Sequence, residues 1–225
     1  ILQSMKRWYL YPFSLVYHFV TAMRNRMYDW GIFSSTKFKT PIIGVGNLSV
    51  GGSGKSPMVM YMADLLSKNF RTGVLSRGYG RKTKGYGIVN YESTYKMVGD
   101  EAMQLFERFR NRFVIGVCED RVFGARKIID DMDLDVLLLD DSYQHRRIKP
   151  GFNILLTDYN DPYFKDFLLP AGNLRESRRG AKRADLIVVT KCPEILTEEK
   201  KQFYINKIKP RHYQKIFFSS INYDE

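Results

Sequence analysis

Between an apolar run, Pro41-Ile42-Ile43-Gly44-Val45-Gly46, and a stretch of helical pattern lies the octet Ser49-Val50-Gly51-Gly52-Ser53-Gly54-Lys55-Ser56. No other segment restricts the fold so strongly, because a glycine-rich turn from strand to helix lets successive backbone N–H groups converge on phosphate oxygens. Gly51, Gly52, Ser53 and Gly54 are small enough to permit that approach. Lys55 is placed to reach terminal phosphates, and the Ser56 hydroxyl to hold Mg²⁺. Ser49 stands where the usual G-x-x-x-x-G-K-[ST] pattern begins with glycine. The octet predicts a nucleoside triphosphate site, with a plain strand-to-helix turn as the alternative.

The pattern after residue 40 alternates short apolar runs with helical stretches. Strands are expected over 42–45, 72–76, 113–117, 136–139, 154–157, 186–189 and 216–218, and helices over 57–67, 100–109, 120–130 and 197–208. Most of the strands are continuous apolar runs, which suit strands buried on both faces by covering helices. This βαβ rhythm predicts an α/β fold of the P-loop NTPase type, a doubly wound, mostly parallel sheet with helices on both faces. Two basic loops, 77–87 and 169–179, interrupt the rhythm; in open α/β sheets such loops at strand ends line the ligand site.

With 225 residues, 44% of them hydrophobic, the chain can bury a real core, and its formal net charge of +12 implies an anionic partner. Cys118 and Cys192 show neither CxxC spacing nor a Cys/His pattern, so two reduced thiols in a cytosolic protein, with no disulfide and no zinc, are expected. From Trp8 to Met23 there is no Asp, Glu, Lys or Arg, and Lys6-Arg7 and Arg24-Arg26 flank the stretch. Its sixteen residues, broken by Pro12, are too few for a span of about 20. No small-residue cleavage site marks it as a signal peptide. A helix over 13–30 with amphipathic aromatics and cationic ends fits a membrane surface, and packing on the protein's own core is the alternative.

Val136-Leu137-Leu138-Leu139-Asp140-Asp141 reads as a buried strand ending in two carboxylates. An aspartate there can hold Mg²⁺ opposite Ser56, whereas the structural alternative is a cap or turn. Ser142-Tyr143-Gln144-His145 continues that loop, and His145 is one of three histidines. Val98-Gly99-Asp100-Glu101 opens a helix; Asp100 is either an N-cap or the acceptor of an attacking hydroxyl's proton.

Taken in order, Gly46-Asn47-Leu48 with the octet, Leu75-Ser76-Arg77-Gly78-Tyr79-Gly80, Val98-Gly99-Asp100-Glu101, Leu139-Asp140-Asp141-Ser142-Tyr143-Gln144-His145, Leu169-Pro170-Ala171-Gly172-Asn173-Leu174-Arg175-Glu176 and Val188-Val189-Thr190-Lys191 resemble the tetraacyldisaccharide 4'-kinases, the lipid A 4'-kinases of Gram-negative bacteria. The resemblance covers essentially the whole chain. It implies phosphoryl transfer from ATP to the 4'-hydroxyl of an anionic, tetraacylated glucosamine disaccharide 1-phosphate at the cytoplasmic face of the inner membrane. By the same resemblance Lys55 and Ser56 serve ATP and Mg²⁺, Asp100 is the base, and Asp140 and Asp141 belong to the metal site. Gln144, His145, Arg175 and Glu176 lie nearby as ATP, metal or substrate contacts, with Arg77 and Arg121 beside the substrate or transferring phosphate.

Relatives carry threonine where Ser56 stands and commonly glycine-phenylalanine where Ser142-Tyr143 stand, swaps that keep a hydroxyl and an aromatic. The resemblance also implies about a hundred further residues, a domain's worth, with a histidine that pairs with the base. The expected organisation is a membrane-associating helix and connector over 1–40, a kinase domain over 41–211, and the start of an incomplete second lobe over 212–225. A monomer is expected, with no nucleic acid partner.

Two other readings compete. Val189-Thr190-Lys191 resembles the start of a guanine-reading T-K-x-D element of a GTPase-like switch, but Pro193 stands where the aspartate belongs. The basic charge and the Arg/Tyr-rich loop over 77–86 suit a nucleic-acid-binding P-loop ATPase.

Overall fold

The computed structural model describes residues 7–220; Lys6 and the other residues before Arg7, and residues 221–225 of the expected segment 212–225, lie outside the described residues. The elements run α1 (Tyr11–Asp29), β1 (Ile42–Asn47), α2 (Lys55–Ser67), β2 (Thr72–Ser76), β3 (Gly87–Ile88), α3 (Tyr95–Val98), α4 (Asp100–Phe109), β4 (Val114–Val117), α5 (Arg121–Met132), β5 (Val136–Leu139), β6 (Phe152–Asp158), β7 (Leu186–Thr190), α6 (Glu198–Ile208) and β8 (Lys215–Phe218). Among the described residues the sheet has eight strands and is mostly parallel, as the apolar runs predict. Every expected strand and helix forms; β3 and α3 are additions, too short to carry a periodic signal. The chain divides into two compact units, one made of Ile1–Phe33, Gly46–Gly54 and Asn153–Glu225, the other of Ser34–Val45 and Lys55–Phe152.

In the second unit the strand order is β3-β4-β2-β5-β1. The β4–β2, β2–β5 and β5–β1 pairs are parallel, and only β3 runs antiparallel, at the edge. All four residues of β5 are buried, and Leu137 and Leu139 pack with Leu75, Ala125 and Ile128. Burying such a side chain contributes about 1.5–3 kcal/mol, so β5 anchors the turn that follows it.

Asp120 caps α5, its Oδ1 accepting from the Val122 N–H at 3.0 Å and the Phe123 N–H at 3.2 Å. Burial pushes its carboxyl up, but those N–H groups together with Arg147 outweigh burial and hold it below its ordinary range. The cap therefore stabilises above the unfolded value of about 3.9 and fades as pH falls through the lowered folded value. Asp120→Ala is expected to cost about 1 kcal/mol near neutrality. Urea midpoints should show a deficit that shrinks below about pH 4; a deficit unchanged by acid would count against the charged cap.

In the first unit β6, β7 and β8 pair in parallel, Leu186 facing Ile154 on one side and Lys215 on the other. Tyr204 of α6 packs with Val189 and Cys192. Helix α1 starts at Tyr11, two residues before the expected start, because Pro12 sits in the first turn, where it lacks nothing. One side of α1 is tied down: Ser14 Oγ donates to Leu168 O at 3.0 Å and accepts from the Ala171 N–H at 3.1 Å, and Tyr17 OH donates to Arg175 O at 2.8 Å. The opposite arc leaves Phe13, Val16, Phe19, Val20 and Met23 exposed. The helix thus packs on its own unit through polar anchors and keeps an apolar face outward.

Candidate active site

The first unit supplies the glycine-rich stretch. Its entry is stitched to the 173–175 segment, with Arg175 N–H donating to Leu48 O and Val50 N–H to Asn173 O, both at 2.7 Å. Gly51 and Gly54 take positive φ, +113° and +77°, which side chains other than glycine rarely adopt. Thr190 Oγ1, at the end of β7, donates to Ser53 O at 2.9 Å. The trans peptide then turns the Gly54 N–H to the side away from Thr190. Lys191 Nζ donates to Gly52 O and pairs with Asp158 at 2.8 Å. Residues of the T-K element thus brace the loop, a role that neither the family resemblance nor the guanine-reading alternative assigns them.

Arg175 and Glu176 have structural partners in the same unit. Arg175 Nη2 donates to Asn47 O at 3.2 Å and to Asn47 Oδ1. Glu176 is buried; its Oε2 accepts from Asn25 at 2.9 Å and its Oε1 from Arg183 at 2.8 Å. A buried carboxylate held by two donors links α1 to the 178–183 turn, and nothing in the spacing of these residues announces it.

The second unit supplies the charged groups. Lys55 opens α2, its Nζ 3.8 Å from Asp141 Oδ1, and Ser56 Oγ donates to Glu101 Oε1 at 3.1 Å. Helical spacing alone does not show which of the two adjacent acids, Asp100 or Glu101, faces Ser56. Asp100 occupies the first turn of α4 and is exposed, while Gly99 holds the N-cap position without a side-chain cap. Only glycine suits that place: φ is +89°, and a Cβ would lie 2.7 Å from Tyr79 O. Asp100 is therefore not the N-cap.

Asp140 follows β5, fixed by its N–H to Leu75 O at 3.1 Å, and is 3% exposed. Ser76 Oγ reaches the Asp140 Oδ2 at 3.5 Å, whereas Asp140 Oδ1 has no hydrogen-bond partner among the described residues. Burial pushes this carboxyl up to about 7, and Glu101 and Asp141 add to the effect; Arg121 and Lys55 offset it only in part. Arg121, also 3% exposed, donates to Cys118 O at 2.5 Å and to Asp140 O at 3.2 Å. Burial lowers its pKa to about 10, so it stays charged at neutrality. Arg77 is exposed but close enough to contribute to that lowering. Gln144 and His145 are half-buried in the turn after Asp141, the His145 N–H donating to Ser142 O at 2.8 Å.

A buried carboxylate with an unsatisfied oxygen, beside two further acids and a serine hydroxyl, fits a divalent cation. Among the described residues no group of three or more His, Cys, Asp or Glu is placed to hold a metal ion. Mg²⁺ usually takes only one or two carboxylates and completes its shell with water and phosphate oxygens.

A mostly parallel α/β sheet with a braced glycine-rich loop running into Lys55 and Ser56 defines a phosphate-loop nucleotide-binding protein. The chain belongs to the tetraacyldisaccharide-1-P 4'-kinase family, whose model matches residues 6–220. It is 46% identical to the tetraacyldisaccharide 4'-kinase of Flavobacterium johnsoniae over 98% of this chain and 65% of that protein. With the tetraacyldisaccharide 4'-kinase of Bacteroides thetaiotaomicron the identity is 42% over 98% of this chain and 58% of that protein. The chain thus spans roughly three-fifths of the length of the curated relatives it matches. Among solved structures, LpxK from Aquifex aeolicus in complex with ATP superposes with a TM-score of 0.77 at 33% identity, covering 97% of this chain and 83% of that one.

Proposed function

We propose that this chain carries the nucleotide-binding part of a kinase that moves the γ-phosphate of ATP to the 4'-hydroxyl of a tetraacylated glucosamine disaccharide 1-phosphate, a step of lipid A biosynthesis. The observation that carries the reading is the charged cluster at the start of α2, where Lys55 stands 3.8 Å from Asp141 and Ser56 bonds Glu101. Residues 51–54 would offer backbone N–H groups to the phosphates, and Lys55 would neutralise charge developing on the transferring group. Ser56, Asp140 and Asp141 would hold Mg²⁺, which would supply positive charge against that of the phosphates. Exposed Asp100 would take the sugar hydroxyl's proton as the new O–P bond forms and the bond to ADP breaks. Arg121 would keep Asp140 in place, and Arg77, Gln144 and His145 would border the substrate.

The same reading places the protein as a peripheral monomer at the cytoplasmic face of the inner membrane, with 41–211 as its kinase domain. The exposed apolar arc of α1 supports a surface attachment, and among the described residues no helix is long and apolar enough to cross a membrane. The test is transfer of labelled γ-phosphate by the full-length protein to the lipid disaccharide 1-phosphate, run beside RNA and DNA. A labelled lipid product whose formation needs Mg²⁺ is expected. ATP turnover stimulated only by nucleic acid would replace the kinase with a nucleic-acid-dependent ATPase.

A further inference from the structure

A cavity of about 750 Å³ in the first unit is lined by Arg178, Arg179, Lys182, Lys207, Lys209 and Arg211, and among the described residues no Asp or Glu lines it. Like charges gathered around one space repel unless an anion joins them. The carboxyl end of α6, where Lys207 and Lys209 sit, supplies only about half a negative charge, far short of six cations. Ile187, near the start of β7, is part of the lining, whereas the glycine-rich loop is braced by Thr190 at the other end of that strand. At about 3.3 Å per residue, the groove and the loop are about 10 Å apart along β7, so the groove is separate from the phosphate loop.

Its neighbours indicate what it meets. Arg178 also lines a cavity beside Tyr11, Leu15 and His18 of α1. Arg179 and Lys182 line another with Ala22 and Arg26 of the same helix. The cationic turn at 178–183 is thus shared between the groove and the helix whose outer arc is apolar. A basic groove that shares the 178–183 turn with a helix whose outer arc is apolar has the chemistry of an anionic bilayer contact, where acyl chains receive Phe13 and Phe19 and phosphodiesters receive Lys and Arg. A nucleic acid would account for the charges and leave the apolar arc without a partner.

We propose that this groove is a second membrane contact, seating phosphate headgroups of anionic phospholipids while α1 inserts beside it. The proposal deepens the membrane attachment described above and rests on it. Each cation near an anionic surface strengthens binding about fivefold, so removing three should weaken it up to about a hundredfold, less at physiological salt, where screening acts over about 8 Å.

The test is co-sedimentation of the full-length protein with phosphatidylcholine vesicles and with vesicles containing phosphatidylglycerol. The comparison sets wild type against Lys207→Gln/Lys209→Gln/Arg211→Gln and against Phe13→Ser/Val16→Ser/Phe19→Ser. Wild type should prefer the anionic vesicles. The groove variant should lose tenfold or more of that binding, keep its partition onto neutral vesicles and keep its melting temperature. Lys207→Arg/Lys209→Arg should bind as wild type does. The α1 variant should weaken on both vesicle types. Groove-variant binding to anionic vesicles equal to wild type would overturn the proposal and leave attachment through α1 standing. Failure of wild type to bind either vesicle would remove both. If the three charges govern retention on single-stranded RNA while vesicle binding stays unchanged, the groove belongs to nucleic acid and the proposal is wrong.

Discussion

Lys55→Ala is expected to lower phosphoryl transfer by the full-length protein by about 10²–10³-fold, the usual cost of removing one donor aimed at developing charge. That corresponds to about 3–4 kcal/mol of transition-state stabilisation. Stability should hardly change. The ion pair that Lys55 makes with Asp141 spans 3.8 Å, and the Asp141 side chain is 37% exposed, so water can replace the ammonium. Pairs of this kind contribute at most about 1 kcal/mol. Lys55→Arg should not restore activity, because a planar fork does not fit where a compact point charge meets phosphate beside glycine-rich backbone. The measurement is kcat and KM for ATP with the melting temperature as control. Turnover by the alanine variant within a few-fold of wild type would mean that the loop over 51–56 does not grip the triphosphate.

Asp140→Asn is expected to trade function for stability. The wild-type carboxyl is 3% exposed, its Oδ1 has no hydrogen-bond partner among the described residues, and burial with Glu101 and Asp141 nearby lifts it from 3.8 to about 7. A carboxylate raised in this way favours folding only while protonated. Its contribution is most favourable below pH 3.8 and declines as pH rises towards about 7, with the charge penalty complete above that. The ceiling on the penalty is about 4 kcal/mol. Water entry and the new amide donor, which needs a partner of its own, reduce the expected gain to about 1–2 kcal/mol. Urea midpoints of the Mg²⁺-free protein should therefore be higher for the asparagine variant at pH 8 and nearly equal at pH 4.5. Transfer activity should drop by about 10²-fold or more, since an amide cannot carry the charge that a hard cation requires. A variant that is less stable at pH 8 yet fully active would show that Asp140 is a structural residue rather than a charged ligand.

Both residues are legible in their own stretch of chain, but their surroundings are not. Lys55 is announced by its neighbours in the chain, since small residues, lysine and hydroxyl occupy consecutive positions whose backbone makes the site. The ending of β5 in Asp140 and Asp141 is equally local, because Val136 to Leu139 are all apolar. The partners were not legible. Ser56 meets Glu101 across 45 residues, and Glu176 meets Asn25 across 151. Such pairings depend on which strands lie side by side, and spacing along one segment says nothing about that.

Strand positions, the helix after the glycine-rich loop and the candidate phosphate ligands follow from short-range rules: apolar runs bury, glycine turns and proline starts. Tertiary packing decided the environments. It raised Asp140 towards neutrality, set Arg121 against main-chain carbonyls, gave Thr190 and Lys191 a bracing role and placed six cations around one groove. Charge, solvation and hydrogen-bond supply at a side chain are sums over neighbours brought from distant parts of the chain, and only the folded arrangement says who those neighbours are.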